Sequence, residues 1–261
     1  MTTELRKQIL KNVKRVVVKI GTSVLTDSHG RLDPHKISNI VSQVCLLKEK
    51  GIDVIIVSSG AIGGGMGILG LKARPVSISH KQAAAAIGQI ELMKLYDDFF
   101  KAKGKTIAQV LLTQDDFSDK KRHINAKHAL LTILDYQAIP IINENDTVAI
   151  DEIKFGDNDK LSGLVVNLIE AQLLIILSDV DGLWDENKKI INIVEKVTLD
   201  IEKMAKGTTK ETSTGGMVTK LAAAKAVTKE GAACIIANGH AEDTIARVLN
   251  AENVGTIFLP Q

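Results

Sequence analysis

The chain has 261 residues, 45% of them hydrophobic, enough to bury one large core or two tightly packed lobes. Its 33 Lys and Arg against 31 Asp and Glu leave a formal charge of +2, and aromatics are 3% of the whole, so the features that draw a protein to nucleic acid are missing. MTTELRKQILKNVKR lacks the apolar stretch of a signal peptide, no run reaches the ~18 apolar residues of a membrane span, and Cys45 and Cys234 have no metal-like spacing. A soluble cytoplasmic protein with buried thiols is expected, with no membrane or nucleic-acid partner.

In chain order, RVVVKI (15–20) is the first expected strand, and it runs into GTSVLT. Lys19 inside this apolar run is costly unless an anion meets it, or else it lies near the strand end and snorkels out. Gly21 and two hydroxyls at the turn favour the anion. A helix follows over 34–50, started by Asp33-Pro34, and then the strand DVIIVS (53–58). After it, SSGAIGGGMGILG carries glycines 60, 63, 64, 65 and 67, which read as a loop cradling an anion. Gly65-x-Gly67-x-x-Gly70 formally matches a dinucleotide fingerprint. Its glycines are not expected to open a helix, and Pro75 follows, so that reading is rejected.

Further on come a helix over 80–103, the strand TIAQVLL (106–112), a helix over 119–137 capped by Asp119, and the strand AIPIIN (138–143). The second half alternates a helix (158–170), QLLIILS (172–178), a helix (214–230) capped by Thr214, ACIIAN (233–238), a helix (240–250) and TIFLP (256–260). MAKGTTKETSTGG (204–216) reads as a mobile loop. Continuously apolar strands alternating with helices predict an α/β fold, a three-layer αβα sandwich around a mostly parallel central sheet. Ligands of such sheets sit beyond the C-terminal ends of the strands.

Two stretches at those ends carry chemistry. STGGMVTKLAAAKA (213–226) puts a hydroxyl, two glycines, a helix start and Lys220 together, which suits polyphosphate; an ordinary helix start with a surface lysine is the plainer alternative. NENDTVAIDEIKFGDNDK (143–160) packs six carboxylates and three asparagines into eighteen positions. It lacks the acceptor and glycine spacing of an EF-hand, and His123 and His128 form no metal box. Asp157, Asn158 and Asp159 read as one cluster, with helix capping as the plainer role for Asp157; Asp151 and Glu152 read as solvated turn residues. Two lysines at anion loops and a carboxylate–amide cluster suggest phosphoryl transfer. No catalytic base is evident, and none is required if the nucleophile is a carboxylate, already ionised at neutral pH.

VVVKIGTSVLT, IIVSSGAIGGG, IPIINENDTVA, FGDNDKLSGLVV, LSDVDGLW and TGGMVTKLAAAKA, in that order, resemble the glutamate 5-kinases of the amino-acid kinase family, from about residue 14 to 258. The NEND and GDND blocks set that group apart from the sister aspartate, acetylglutamate, carbamate and uridylate kinases. The resemblance implies ATP- and Mg²⁺-dependent phosphorylation of the γ-carboxylate of L-glutamate, towards proline. It also implies a homo-oligomer and proline as a feedback inhibitor.

By position, the resemblance assigns Lys19, Lys220 and Asp159 to catalysis and Ser59, Gly60, Asp146 and Asn158 to the amino acid. Nucleotide binding falls to Lys19, Gly21, Ser178, Asp179, Thr214, Gly215, Gly216, Met217, Val218, Thr219 and Lys220, and no residue is assigned to a metal. An amino-acid lobe over 1–170 and a nucleotide lobe over 171–261 are expected, without the C-terminal PUA domain that many members append. Departures from the group's pattern are Ser178 for threonine, Ser213 for glycine, and GGG where alanines are frequent. A sister kinase with another acceptor, or a non-catalytic sensor on the same fold, remains the alternative.

Overall fold

The computed structural model describes residues 2–149, 158–206 and 216–261. Eight strands form one sheet: β1 (Arg15–Ile20), β2 (Asp53–Ser58), β3 (Ile107–Leu112), β4 (Ile139–Glu144), β5 (Leu173–Ser178), β6 (Ile193–Val194), β7 (Ala233–Asn238) and β8 (Thr256–Phe258). Their order is β3-β4-β2-β1-β5-β7-β8-β6, and only the β7–β8 pairing is antiparallel. The mostly parallel sheet of the sequence reading is therefore present. Three of the expected strands match to the residue, and the short β6 was not foreseen.

The helices are α1 (Thr2–Leu10), α2 (Thr22–Leu25), α3 (Pro34–Glu49), α4 (Ala61–Leu69), α5 (Ile78–Ala102), α6 (Gln114–Ser118), α7 (Lys120–Asp135), α8 (Asn158–Leu168), α9 (Leu199–Lys206), α10 (Met217–Lys229) and α11 (Thr244–Leu249). Asp33 caps α3 by accepting from the His35 and Lys36 N–H groups, and Asp119 caps α7 by accepting from Arg122 N–H. Thr214 lies outside the described residues; α10 begins at Met217 with Gly216 at its cap position, rather than at 214 as expected. The loop expected over 204–216 begins inside α9, and its remainder lies outside the described residues.

The helices fill two layers. On one face, α3, α5 and α11 bury Ile37, Ile40, Leu92, Tyr96, Phe100, Ile245 and Val248 against Val16, Val18, Val54, Ile56 and Ile175. On the other, α7, α8 and α10 bury Leu134, Leu161, Val165, Leu221 and Val227 against Val17, Ile55, Val57, Leu174 and Ile176. A strand alternates its side chains. Lys19 therefore shares the face of Val17, the face covered by α8 and α10. That parity places it in the site.

One expectation fails here. The glycines 63–67 do not form a loop; they lie within α4, and Gly63, Gly64 and Gly65 are buried. A Cβ on Gly65 would stand 1.9 Å from the Ala84 carbonyl oxygen, and one on Gly88 would stand 1.9 Å from the Ala61 oxygen. The run exists so that α4 and α5 can touch backbone to backbone. Only Gly60, at φ +107° just before α4, retains the loop role first given to the whole run.

Candidate active site

The parallel strands end along one edge of the sheet, with Ile20 paired to Ser58 and to Leu177, and Ser178 to Asn238. Lys19, Gly21, Ser59, Gly60, Ser178 and Asp179 all lie on that edge. The first residues of α8 and α10 reach it from one face and bring Asn158, Asp159, Gly216, Met217, Thr219 and Lys220.

Asp159 is the centre. It is fully buried, and its two oxygens meet Lys19 Nζ at 2.6 Å and Lys220 Nζ at 3.5 Å. Thr219 donates its hydroxyl to Asp159 Oδ2 at 2.6 Å, and Ser162 donates to the Asp159 carbonyl at 2.6 Å. Burial by itself would raise the Asp159 pKa. The two lysines, with hydrogen bonds from Lys19 and Thr219, outweigh it and hold the carboxyl below its ordinary value. Burial is also what lowers the Lys220 pKa, with the Lys19 charge adding to it and Asp159 opposing. Two ammonium groups share one carboxylate, so the cluster carries a net positive charge towards the strand ends.

Beside it lies an amide network. Asn158 Nδ2 donates to the Ser58 carbonyl (3.2 Å), Ser59 Oγ (3.0 Å) and Asn143 Oδ1 (3.0 Å). Ser58 is buried and shares a hydrogen bond with Tyr96 Oη at 3.0 Å. Asp146, in the turn after β4, is half-buried, and burial raises its pKa to about 6 while the Arg74 charge pulls the other way. Gln82 of α5 donates to the Thr147 and Ala149 carbonyls and ties that turn to the helix.

On the far side of Lys19, Gly21 N–H donates to the Leu177 carbonyl at 3.0 Å, and a Cβ on Gly21 would stand 3.1 Å from that oxygen. Ser178 is buried and donates to Asp179 Oδ1 at 3.0 Å. Met217 is buried at the start of α10, whereas Val218 is exposed. Thr214, Gly215, Asp157, Asp151 and Glu152 lie outside the described residues.

Residues 14–238 match the amino acid kinase family. A glutamate 5-kinase of Citrifermentans bemidjiense is 50% identical over 262 aligned residues, spanning 98% of this chain and 70% of that protein. One from Clostridium acetobutylicum is 47% identical, with 98% of both chains covered. The chain belongs to the glutamate 5-kinases, within the amino acid kinase family. A UMP kinase from Bacillus anthracis superposes with a TM-score of 0.63 over 95% of this chain and 97% of its own, at 15% identity, which establishes a shared fold. For a glutamate 5-kinase site, the sequence reading left out Ser58, Gln89, Asn143 and Arg74. The NEND block was a signal for Asn143. Gln89 and Arg74 had none, because they come from the middle of α5 and from the turn before it.

Proposed function

We propose that the chain transfers the γ-phosphoryl group of ATP to the γ-carboxylate of L-glutamate, giving ADP and L-glutamyl 5-phosphate, the first step towards proline. The observation that carries this reading is the buried Lys19–Asp159–Lys220 cluster beside the Asn158–Ser59 amide site. The γ-carboxylate is the nucleophile and needs no base at neutral pH. Its approach to a polyphosphate is opposed by like charge. Lys19 and Lys220 offset that repulsion and stabilise the charge spread over the transferring group.

Asp159 acts as a positioning residue: it holds both ammonium groups at fixed points and opposes the burial that lowers the Lys220 pKa. Ser59, Asp146 and Asn158 receive the amino acid, and the backbone N–H groups after Gly60 meet a carboxylate. Gly21, Ser178, Asp179 and residues 214–220 hold the nucleotide, with Lys220 at the leaving phosphate. In this reading residues 1–170 form the amino-acid lobe and 171–261 the nucleotide lobe.

No group of three His, Cys, Asp or Glu side chains among the described residues fits a metal ion, and the Asp159 oxygens are occupied by Lys19, Lys220 and Thr219. Mg²⁺ would thus be held by phosphate oxygens and water, and no step above runs through it.

The chain works in the cytoplasm as a homo-oligomer and is inhibited by proline. Its cysteines are free and buried, and no described helix is long and apolar enough to cross a membrane. Ile90, Leu111 and Tyr136 leave apolar surface exposed near one end of the sheet.

The test is ADP release with Mg²⁺-ATP and L-glutamate, hydroxylamine present to trap the acyl phosphate, and aspartate, N-acetylglutamate, carbamate and UMP as rival acceptors. Glutamate-dependent hydroxamate is the expected result. Turnover with another acceptor alone would keep the fold and overturn the substrate. Binding of ATP without turnover on any acceptor would point to a sensor.

A further inference from the structure

The amide network has a direction, and one backbone group sets it. The Glu144 N–H donates to the Asn143 side chain at 2.9 Å, so the atom it meets must be oxygen, Oδ1. Asn143 Nδ2 must then face the other way, towards Gln89, which answers with its own oxygen: Asn143 Nδ2 to Gln89 Oε1 is 2.9 Å. The same Asn143 Oδ1 accepts from Asn158 Nδ2 at 3.0 Å. The Ser58 carbonyl, 3.2 Å from Asn158 Nδ2, independently requires an NH₂ there. Three side-chain amides are thus locked in one polarity.

Two atoms are left over, one at each end of the chain. Asn158 Oδ1 and Gln89 Nε2 are buried and have no hydrogen-bond partner among the described residues. Leaving a buried donor and a buried acceptor unmatched is costly, and such pairs are rare in folded proteins unless a ligand completes them. A ligand that completes this pair must bring a donor to one end and an acceptor to the other, as the ammonium and carboxylate of an amino acid do.

We propose that Gln89 is a binding residue for the amino-acid substrate: its Nε2 donates to the substrate carboxylate while Asn158 Oδ1 accepts from the ammonium, and its carbonyl, accepting from Asn143 Nδ2, holds it in that orientation. The inference rests on the function proposed above. Without Gln89, Asn143 keeps its polarity through the Glu144 N–H and Asn158 keeps its own through the Ser58 carbonyl. What is lost is the donor at the other end of the amide chain, the one that meets the substrate carboxylate. Gln89 touches neither Lys19 nor Lys220, so the phosphoryl-transfer machinery is untouched.

The experiment is a double-mutant cycle of Gln89→Met and Asn158→Ala, read as kcat, KM for glutamate and KM for ATP. Loss of one oriented hydrogen bond to a charged group predicts a glutamate KM raised roughly 10- to 100-fold in Gln89→Met. KM for ATP should stay within about twofold and kcat within about threefold. Because the two atoms hold different groups of one substrate, the double variant should have a kcat/KM for glutamate lower than either single variant, with losses close to additive. A glutamate KM within about twofold of the parent, or a double variant no worse than Asn158→Ala alone, overturns the inference. Gln89→Ala is the second variant should Gln89→Met fold poorly; loss of ATP affinity in both would also overturn it. A parent protein that does not use glutamate at all would overturn the function reading itself, an arm that contains no substitution.

Discussion

Replacing Asp159 with asparagine keeps the shape of the site and removes the carboxylate at its centre. In the parent protein that carboxylate is fully buried and meets two lysines, each of whose side chains is about 7% exposed. Asp159→Asn deprives both buried ammonium groups of the carboxylate they share, and breaking such a pair from one side costs about 3–5 kcal/mol. The lysines can escape the penalty by losing protons, but a neutral lysine no longer offsets phosphate charge. Stability and turnover should therefore fall together: urea unfolding at pH 7 should show a loss of about 3–5 kcal/mol. The hydroxamate assay should show kcat reduced by about 10³ or more, the scale of losing a cation on the transferring phosphoryl group. The pH dependence has a definite sign. The folded Asp159 pKa lies below its ordinary value of 3.8, so its stabilisation is complete above that value and fades as pH falls below it. The gap between parent and variant should accordingly narrow in acid. A variant as stable as the parent at pH 7, with kcat within tenfold, would refute the reasoning.

Asp146 gives the opposite sign. Its pKa is raised to about 6, so ionisation at neutral pH opposes folding, yet the charged form is the one that receives an ammonium. The kcat/KM for glutamate should rise as pH passes about 6, and Asp146→Asn should lower it and flatten the profile while stabilising the protein at pH 7. Far from the site, Arg6 is wholly buried and donates to the carbonyls of Asn192, Glu252, Val254 and Gly255. Arg6→Met should destabilise by about 2–4 kcal/mol in urea, with both KM values unchanged below the transition. Gly65→Ala would set a methyl 1.9 Å from the Ala84 oxygen and push α4 from α5; a loss of at least ~1–3 kcal/mol is expected from thermal unfolding, together with a weaker glutamate KM.

Much of this arrangement was legible from residues. Apolar runs such as VVVKI and LLIILS demand a sheet covered on both faces, and the strand-end rule then says where Lys19 and Ser178 must act. Asp33 and Asp119 marked helix starts through chemistry local to the chain. The glycine run after β2 misled because sequence records that a backbone must come close to something, not to what. Here the partner is α5, some twenty residues on. The short helices α2 and α6 are set by contacts rather than by periodicity, so no pattern announced them. The roles of Asn143, which the NEND block only flagged, and of Gln89, which nothing flagged, were hidden for a similar reason. Their meaning lies in the polarity of a hydrogen-bond chain joining α5, β4 and α8, which exists only after folding.

The most direct test of the central claim follows an oxygen atom. L-Glutamate labelled with ¹⁸O in both γ-carboxylate oxygens, turned over with Mg²⁺-ATP and hydroxylamine, forms a C–O–P bridge from a carboxylate oxygen. Hydroxylamine attacks the carbonyl carbon and expels phosphate with that bridge. Inorganic phosphate carrying one ¹⁸O per hydroxamate formed is the predicted result. Unlabelled phosphate, or phosphate release that does not depend on glutamate, would contradict the account.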